Sequence, residues 1–213
     1  MRLSKEFNKL LNVIFLLAIM RSAYAANNTL TNLYFSAETG WSSMAHGHIS
    51  PYQFKDQNNF GYRLSMGYLF SFSYHFKLGP EVGYGYYGKI SYKNPTDLTV
   101  NYASYGWNAL ANLTYEVTPK VDLALKGGIT EIFQHYDIVG SNVTAGGFYQ
   151  RAFSPALIFA GQYYISKHTS IGLSYTHVFA NSAPLTSSPN FTFTNVNQIC
   201  SVNAVMAIIT YSI

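Results

Sequence analysis

Charge is scarce in this chain: Asp, Glu, Lys and Arg make up 10% of its 213 residues, against roughly a quarter in an average soluble domain. A soluble β-sandwich, which needs charge on its outward faces, fits that composition poorly. Long apolar runs are also missing. Nowhere do about 18 apolar residues follow one another, which excludes a helical membrane protein. Cys200 is the single cysteine, so no internal disulfide can form in an oxidising compartment, and the residue reads as packing. Nor is there a basic patch. Arg2, Lys5, Lys9 and Arg21 against Glu6 carry most of the formal charge of +4, and the remainder is close to neutral. Nucleic acid is therefore no partner, since its footprint is clustered positive charge. No linker or shift of composition marks a second domain.

The basic start leads into an apolar stretch from Leu10 to Met20, then Ala23 and Ala25 around Tyr24. This is the pattern of a secretory signal peptide cut after Ala25, since the apolar stretch is about half of the ~20 residues a spanning helix needs. We expect residues 1–25 to be the signal and 26–213 one barrel domain.

What is abundant is Tyr, Phe and Gly, with 19, 15 and 16 copies, arranged in stretches that alternate an apolar or aromatic side chain with a small or polar one. Eight such stretches are predicted as strands: Leu33 to Ser42, Asn59 to Phe70, Lys77 to Ser91, Tyr102 to Val117, Val121 to Phe133, Arg151 to Ile165, Ser170 to Phe179 and Gln198 to Ile213. Their connections alternate between wide (Ser43 to Asn58, Tyr92 to Asn101, Gln134 to Gln150, Ala180 to Asn197) and tight (Ser71 to Phe76, Thr118 to Lys120, Ser166 to Thr169). That is the pattern of an eight-stranded antiparallel up-and-down transmembrane β-barrel, with short turns in the periplasm and long loops outside. Closure pairs every backbone N–H and C=O within the membrane without any long apolar run.

Charge sets the parity of each strand, because Arg or Lys facing lipid near the midplane costs about 2–4 kcal/mol. Glu38, Arg63, Glu81 and Lys126, two of each sign, are predicted to face the lumen and pair there, with Asn108, Asn112, Gln162 and Ser174 as further polar lumen residues. Asp122 and Thr114 share that side, and Ile158, Met206 and Ile208 are apolar exceptions on it. Aromatics gather toward strand ends: Tyr34, Phe35, Tyr68, Phe70, Tyr115 and Tyr163 at the turn side; Trp41, Tyr86, Tyr92, Tyr105, Trp107 and Phe179 at the loop side. They are expected to form two interfacial girdles. Tyr211 and Ile213 end the chain as an aromatic two places before an apolar residue.

The third stretch, Leu78-Gly79-Pro80-Glu81-Val82-Gly83-Tyr84-Gly85-Tyr86-Tyr87-Gly88-Lys89-Ile90-Ser91-Tyr92, resembles the corresponding strand of the OmpA transmembrane domain family. Other stretches resemble that family in order: Tyr34 to Trp41, Ala111 to Tyr115, Asp122 to Gly128, Ser154 to Ile165 and Leu173 to Tyr175. The resemblance implies an eight-stranded bacterial outer-membrane barrel whose lumen is plugged by ion pairs, surrounded by outer-membrane lipid and lipopolysaccharide. Glu81 and Lys126 match inward charged positions of the family, whereas Asn112, Gln162 and Gly172 stand where charges are common. Tyr211 and Ile213 are similar to the signal read by the barrel-assembly machinery, although Phe is the usual last residue there. The family's soluble peptidoglycan-binding domain is not expected, because the sequence stops at the eighth strand.

Some barrels of this size modify lipid A, so an enzyme is one reading of the chain. His177 has Ser174 and Ser182 in its neighbourhood, but lipid A deacylases place Ser two residues after His, and position 179 is Phe. No catalytic residue, cofactor or metal is expected. His46 and His48 stand at i, i+2 without a nearby acid before Asp56, and they read as a solvated loop. Asn112-Leu113-Thr114 and Asn142-Val143-Thr144 match a glycosylation pattern that a bacterial barrel would not normally use. The expected function is a non-enzymatic outer-membrane barrel with loops displayed to host or envelope proteins, Tyr52, Phe54, Phe148, Tyr149, Phe191 and Phe193 being contact candidates. The alternatives are a narrow porin or small-solute channel and, last, a lipid A-modifying enzyme.

Overall fold

The computed structural model describes residues 33–45, 53–93, 99–140, 143–180 and 199–213. Ten strand segments follow in order: β1 (Leu33–Met44), β2 (Gln53–Asn58), β3 (Phe60–Tyr68), β4 (Phe70–Ser71), β5 (Phe76–Lys93), β6 (Thr99–Thr118), β7 (Val121–Gly140), β8 (Val143–Tyr164), β9 (Thr169–Val178) and β10 (Val202–Ser212). Segments β2, β3 and β4 all pair with β5 and are pieces of one barrel stave, broken at Asn59 and Leu69. The ring runs β5-β3-β1-β10-β9-β8-β7-β6 and closes from β6 back to β5. Eight antiparallel staves result. β1 against β10 is the closing seam, an unbroken ladder from Tyr34–Ser212 to Met44–Val202.

Alternation in sequence becomes inside and outside. Along β1 the even-numbered residues from Tyr34 to Ser42, apart from partly buried Gly40, are buried, while Phe35, Ala37, Thr39 and Trp41 are exposed. β3, β6, β9 and β10 alternate in the same way. Exposed side chains such as Leu64, Val82, Leu123, Phe159, Leu173 and Ile209 form the apolar belt that hydrocarbon covers, the solution a closed barrel allows.

The staves differ in length. β1, β9 and β10 have 12, 10 and 11 residues, close to the 9–11 that cross a bilayer. β5 to β8 have 18, 20, 20 and 22. Their turn-side ends are level, since Phe76 faces Tyr115 and Val121 faces Tyr163, so the extra length stands as a wall beyond the loop-side rim. Much of what reads in sequence as wide loops is thus strand: β2 occupies 53–58, β5 and β6 continue to Lys93 and back from Thr99, and β7 and β8 leave only positions 141–142 between them. The reason is local. Alternation persists through Ile132, Gln134 and Tyr136, and each hairpin arm satisfies the other's backbone. The last strand begins at Val202, later than Gln198, which lies outside the described residues.

One irregularity redirects side chains. Pairing of β5 with β6 slips between Tyr86 and Lys89, and Gly88 in the slip has φ 97°. A Cβ at Gly88 would stand 2.4 Å from the Asn58 carbonyl oxygen, so both conformation and space call for glycine. Beyond this bulge the parity of β5 is reversed. Ile90 and Tyr92 turn inward and are fully buried, which removes Tyr92 from the expected outer girdle. Tyr34 also leaves its expected girdle: parity with Ser36 and Glu38 puts it in the lumen, 4% exposed.

Candidate functional site

The lumen gathers the charged residues. Arg63 on β3 is fully buried and bridges two carboxylates: Nη1 reaches Glu38 Oε1 on β1 at 2.5 Å, and Nη2 donates to Glu81 Oε1 on β5. Its Nε donates to Asn108 Oδ1 at 2.9 Å. Lys126 on β7 donates to Glu81 Oε2 at 2.7 Å, and the Tyr34 hydroxyl donates to the same oxygen at 2.5 Å. Glu38 Oε2 accepts from Ser174 on β9 at 2.5 Å. Two acids and two bases thus form one chain, with each carboxylate oxygen occupied. Such closure is what makes buried charge tolerable, because an ion stripped of water costs several kcal/mol unless paired.

Asparagines extend the network. Asn108 donates to the Tyr87 hydroxyl at 3.1 Å and to Thr130 at 2.9 Å. Asn112 donates to the Tyr34 hydroxyl at 2.7 Å and accepts from Thr114 at 3.1 Å. Gln162 stands apart near the turn-side mouth, accepting from Ser170 at 2.6 Å; Tyr164 donates to Asp122 there at 2.8 Å. β8 and β10 bring apolar faces: Ile158 is in register with Lys126, and Ile208 with Glu38.

The loop-side half of the lumen is different. Met44, Tyr87, Ile90, Tyr92, Val100, Tyr102, Ile132, Tyr136, Ala156, Val178, Ile199, Cys200, Val202 and Ala204 belong to one buried apolar cluster, which reaches down through Met206, Leu110 and Ile158 to the level of the ionic chain. Tyr102 stands between Tyr92 and Tyr136, with ring centroids 6.0 and 5.9 Å away. Burial pushes the Cys200 thiol up to about 12. Sequence reasoning missed Tyr34 and Tyr87. Inward parity signalled Tyr34, whereas Tyr87 and its neighbours depend on the bulge, which no local pattern announces.

His177 and Ser174 lie on opposite faces of β9. Ser174 bonds Glu38 inside, while His177 Nδ1 lies 2.7 Å from Asn203 Oδ1 and its ring 4.2 Å from that of Phe179. The two do not meet as nucleophile and base must. Tyr211 and Ile213 face outward, and the Ile213 amide donates to the Leu33 carbonyl at 2.9 Å. Phe54 and Tyr149 are exposed. His46, His48, Tyr52, Asn142, Ser182, Phe191 and Phe193 lie outside the described residues, as do residues 1–32 and the side chain of Phe148.

Comparison with known proteins places this geometry. Among solved structures, the attachment invasion locus protein Ail of Yersinia pestis is 13% identical, with TM-score 0.51 over 86% of this chain and 100% of that one. Neisserial surface protein A is 11% identical, with TM-score 0.49 over 85% and 97%. The Escherichia coli outer membrane protease OmpT is 9% identical, with TM-score 0.46 over 87% and 98%. At its 13% identity, the likeness to Ail speaks for the fold alone. No curated protein sequence matches. The model of the OmpA-like transmembrane domain matches residues 27–206. A closed eight-stave barrel with a belt of lipid-facing side chains, matched by that model over most of its length, belongs to the OmpA-like transmembrane domain family of the bacterial outer membrane.

Proposed function

We propose that this chain is a closed, non-catalytic scaffold of the outer membrane that presents its loop-side wall and loops for contact. The observation carrying this reading is the lumen, filled twice over. On the turn side the chain Ser174–Glu38–Arg63–Glu81–Lys126 crosses between staves, and above it the apolar cluster around Ile132, Tyr102 and Ile90 leaves these side chains essentially without solvent contact. An ion crossing would have to break the pairs and then traverse an apolar plug, where charge is far costlier than in water. Non-catalytic action is supported by the divergence of His177 from Ser174 and by the occupation of Ser174 by Glu38. Lipid on the outer belt, and the barrel-assembly machinery at Tyr211 and Ile213 after removal of residues 1–25, are the partners this reading calls for. Planar-bilayer recording of the refolded barrel tests it. No steady conductance is expected at any voltage the bilayer withstands; sustained, uniform openings would instead establish a narrow pore.

A further inference from the structure

Just before the tight turn that joins β6 to β7, the pairing of these strands slips between Glu116 and Thr118. The slip leaves Glu116 directly opposite Asp122. Glu116 continues the inward series Asn108, Asn112 and Thr114 of β6, and Asp122 begins the inward series of β7 that runs on through Ala124 and Lys126. Two acids therefore face each other across one rung at the turn-side mouth of the lumen. Like charges directly opposite destabilise a sheet unless a cation stands between them. The cation acting on both is Lys77 of β5, in register with Thr114. Its Nζ comes only within 3.6 Å of Glu116 Oε2, beyond the length of a good hydrogen bond.

Asp122 is the less satisfied of the two acids, although it is 4% exposed. Its Oδ2 accepts from the Tyr164 hydroxyl at 2.8 Å, and the Tyr164 backbone is held by its amide donating to the Lys120 carbonyl at 2.9 Å. Oδ1 is buried and has no hydrogen-bond partner. The contrast with the acids deeper in the lumen is plain, since both oxygens of Glu38 and of Glu81 are occupied. Nor do the neighbours supply a donor. Gln162, in register with Asp122 on β8, is turned to Ser170, and Thr114 donates its hydroxyl hydrogen to Asn112 at 3.1 Å, so that lone pairs are what it has left to offer. A buried carboxylate oxygen left open in this way is costly and marks a place where an ion or a water belongs. Charge favours the ion, because two carboxylates and one ammonium leave a negative charge over.

We propose that the turn-side mouth binds a hard divalent cation such as calcium between Asp122 Oδ1 and the Glu116 carboxylate, with Lys77 as the built-in cation that the metal displaces. The Lys77 and Glu116 side chains are 26% and 30% exposed, which gives the ion its way in from the mouth and gives Lys77 room to swing aside. Oxygen ligands of net negative charge on adjustable side chains are what calcium takes. No trio of His, Cys, Asp or Glu able to hold a metal gathers among the described residues, so the ion keeps much of its water. Its affinity is then that of a weak site, with a Kd on the order of 10⁻⁴–10⁻³ M. Bound there, the ion replaces repulsion across the Glu116–Asp122 rung with a bridge and pins β6 to β7 beside their turn. The inference is separate from the closed-scaffold reading, because the ion enters the mouth and does not cross the lumen.

The test uses the full chain refolded in nonionic detergent micelles and titrated with Tb³⁺, a luminescent probe of calcium sites, excited through tyrosine because Tyr164 lies against Asp122. Saturable emission that Ca²⁺ competes away is expected. Asp122→Asn and Glu116→Gln, each removing one ligand charge, should weaken binding at least about tenfold. Lys77→Met, which removes the competing ammonium, should tighten it at least about threefold, a gain that no loss of fold can imitate. Asp137→Asn on the loop-side wall should change nothing. Each variant is first shown to keep heat-modifiable gel mobility. Absence of saturable emission, native affinity in both acid variants, no gain in Lys77→Met, or an equal loss in Asp137→Asn overturns the proposal. A barrel that conducts ions yet binds Tb³⁺ through Asp122 and Glu116 keeps the site and loses the closed-scaffold reading.

Discussion

The two halves of the lumen solve the same problem with opposite chemistry. The turn-side half is held by Arg63 between Glu38 and Glu81, with Lys126 and Tyr34 completing Glu81. The loop-side half is held by an apolar cluster in which Ile132, Tyr102 and Ile90 are buried. The contrast follows from what lies around each. In the membrane the outer face must be apolar, so the inner face is the place where polar residues can stand, and they must satisfy one another. Beyond the membrane water is available outside, and the inner face of the wall can be an ordinary core. The barrel is thus a membrane protein inverted over its lower part and a soluble-like sheet over its upper part.

That contrast breaks hardest at Arg63. Arg63→Met leaves Glu38 and Glu81 without their shared cation, Lys126 alone remaining on Glu81, and is expected to lower unfolding stability by about 3–5 kcal/mol, the usual cost of stranding buried charge. Urea titration of the barrel in lipid vesicles measures it. Ile132→Ala in the upper half makes a cavity and leaves no charge behind, so its loss should be smaller, about 2–4 kcal/mol, and it should not respond to pH, whereas the Arg63 variant should regain stability as the stranded acids are protonated. A loss at Ile132 equal to that at Arg63 and equally pH-dependent would erase the distinction between the halves. The mildest probe is Cys200. Buried at 0% exposure and with its thiol held near 12, it should resist alkylation at pH 8 in the folded barrel and react once urea unfolds it. Rapid labelling of the native protein would mean the upper plug is open.

Legibility in the sequence follows the range of the forces. Parity within a stave is local, so Glu38 with Ser36, Arg63 with Ser65, and Lys126 with Asp122 could be assigned inward from alternation and the cost of charge in lipid. The resemblance of Leu78 to Tyr92 to a known strand added the closure. Tyr34 was readable by the same parity but was drawn toward the girdle by residue type. Tyr92 was not readable at all, because a single extra residue at Gly88 reverses everything beyond it. The tall hairpins were mistaken for loops because turn-like residues such as Gly140 and Asn142 interrupt the pattern near their tip.

By itself, then, the sequence determined a barrel of eight staves, its inward charges and its outward apolar belt, since each rests on period-two alternation and on the penalty for charge in hydrocarbon. Only the tertiary structure decided which carboxylate Arg63 shares with Lys126, that Tyr34 completes that carboxylate, and that Tyr102 stands between Tyr92 and Tyr136 in the upper plug. Those depend on register between strands far apart in the chain, and register is set by ring closure and one bulge, neither of which any single stretch of residues encodes.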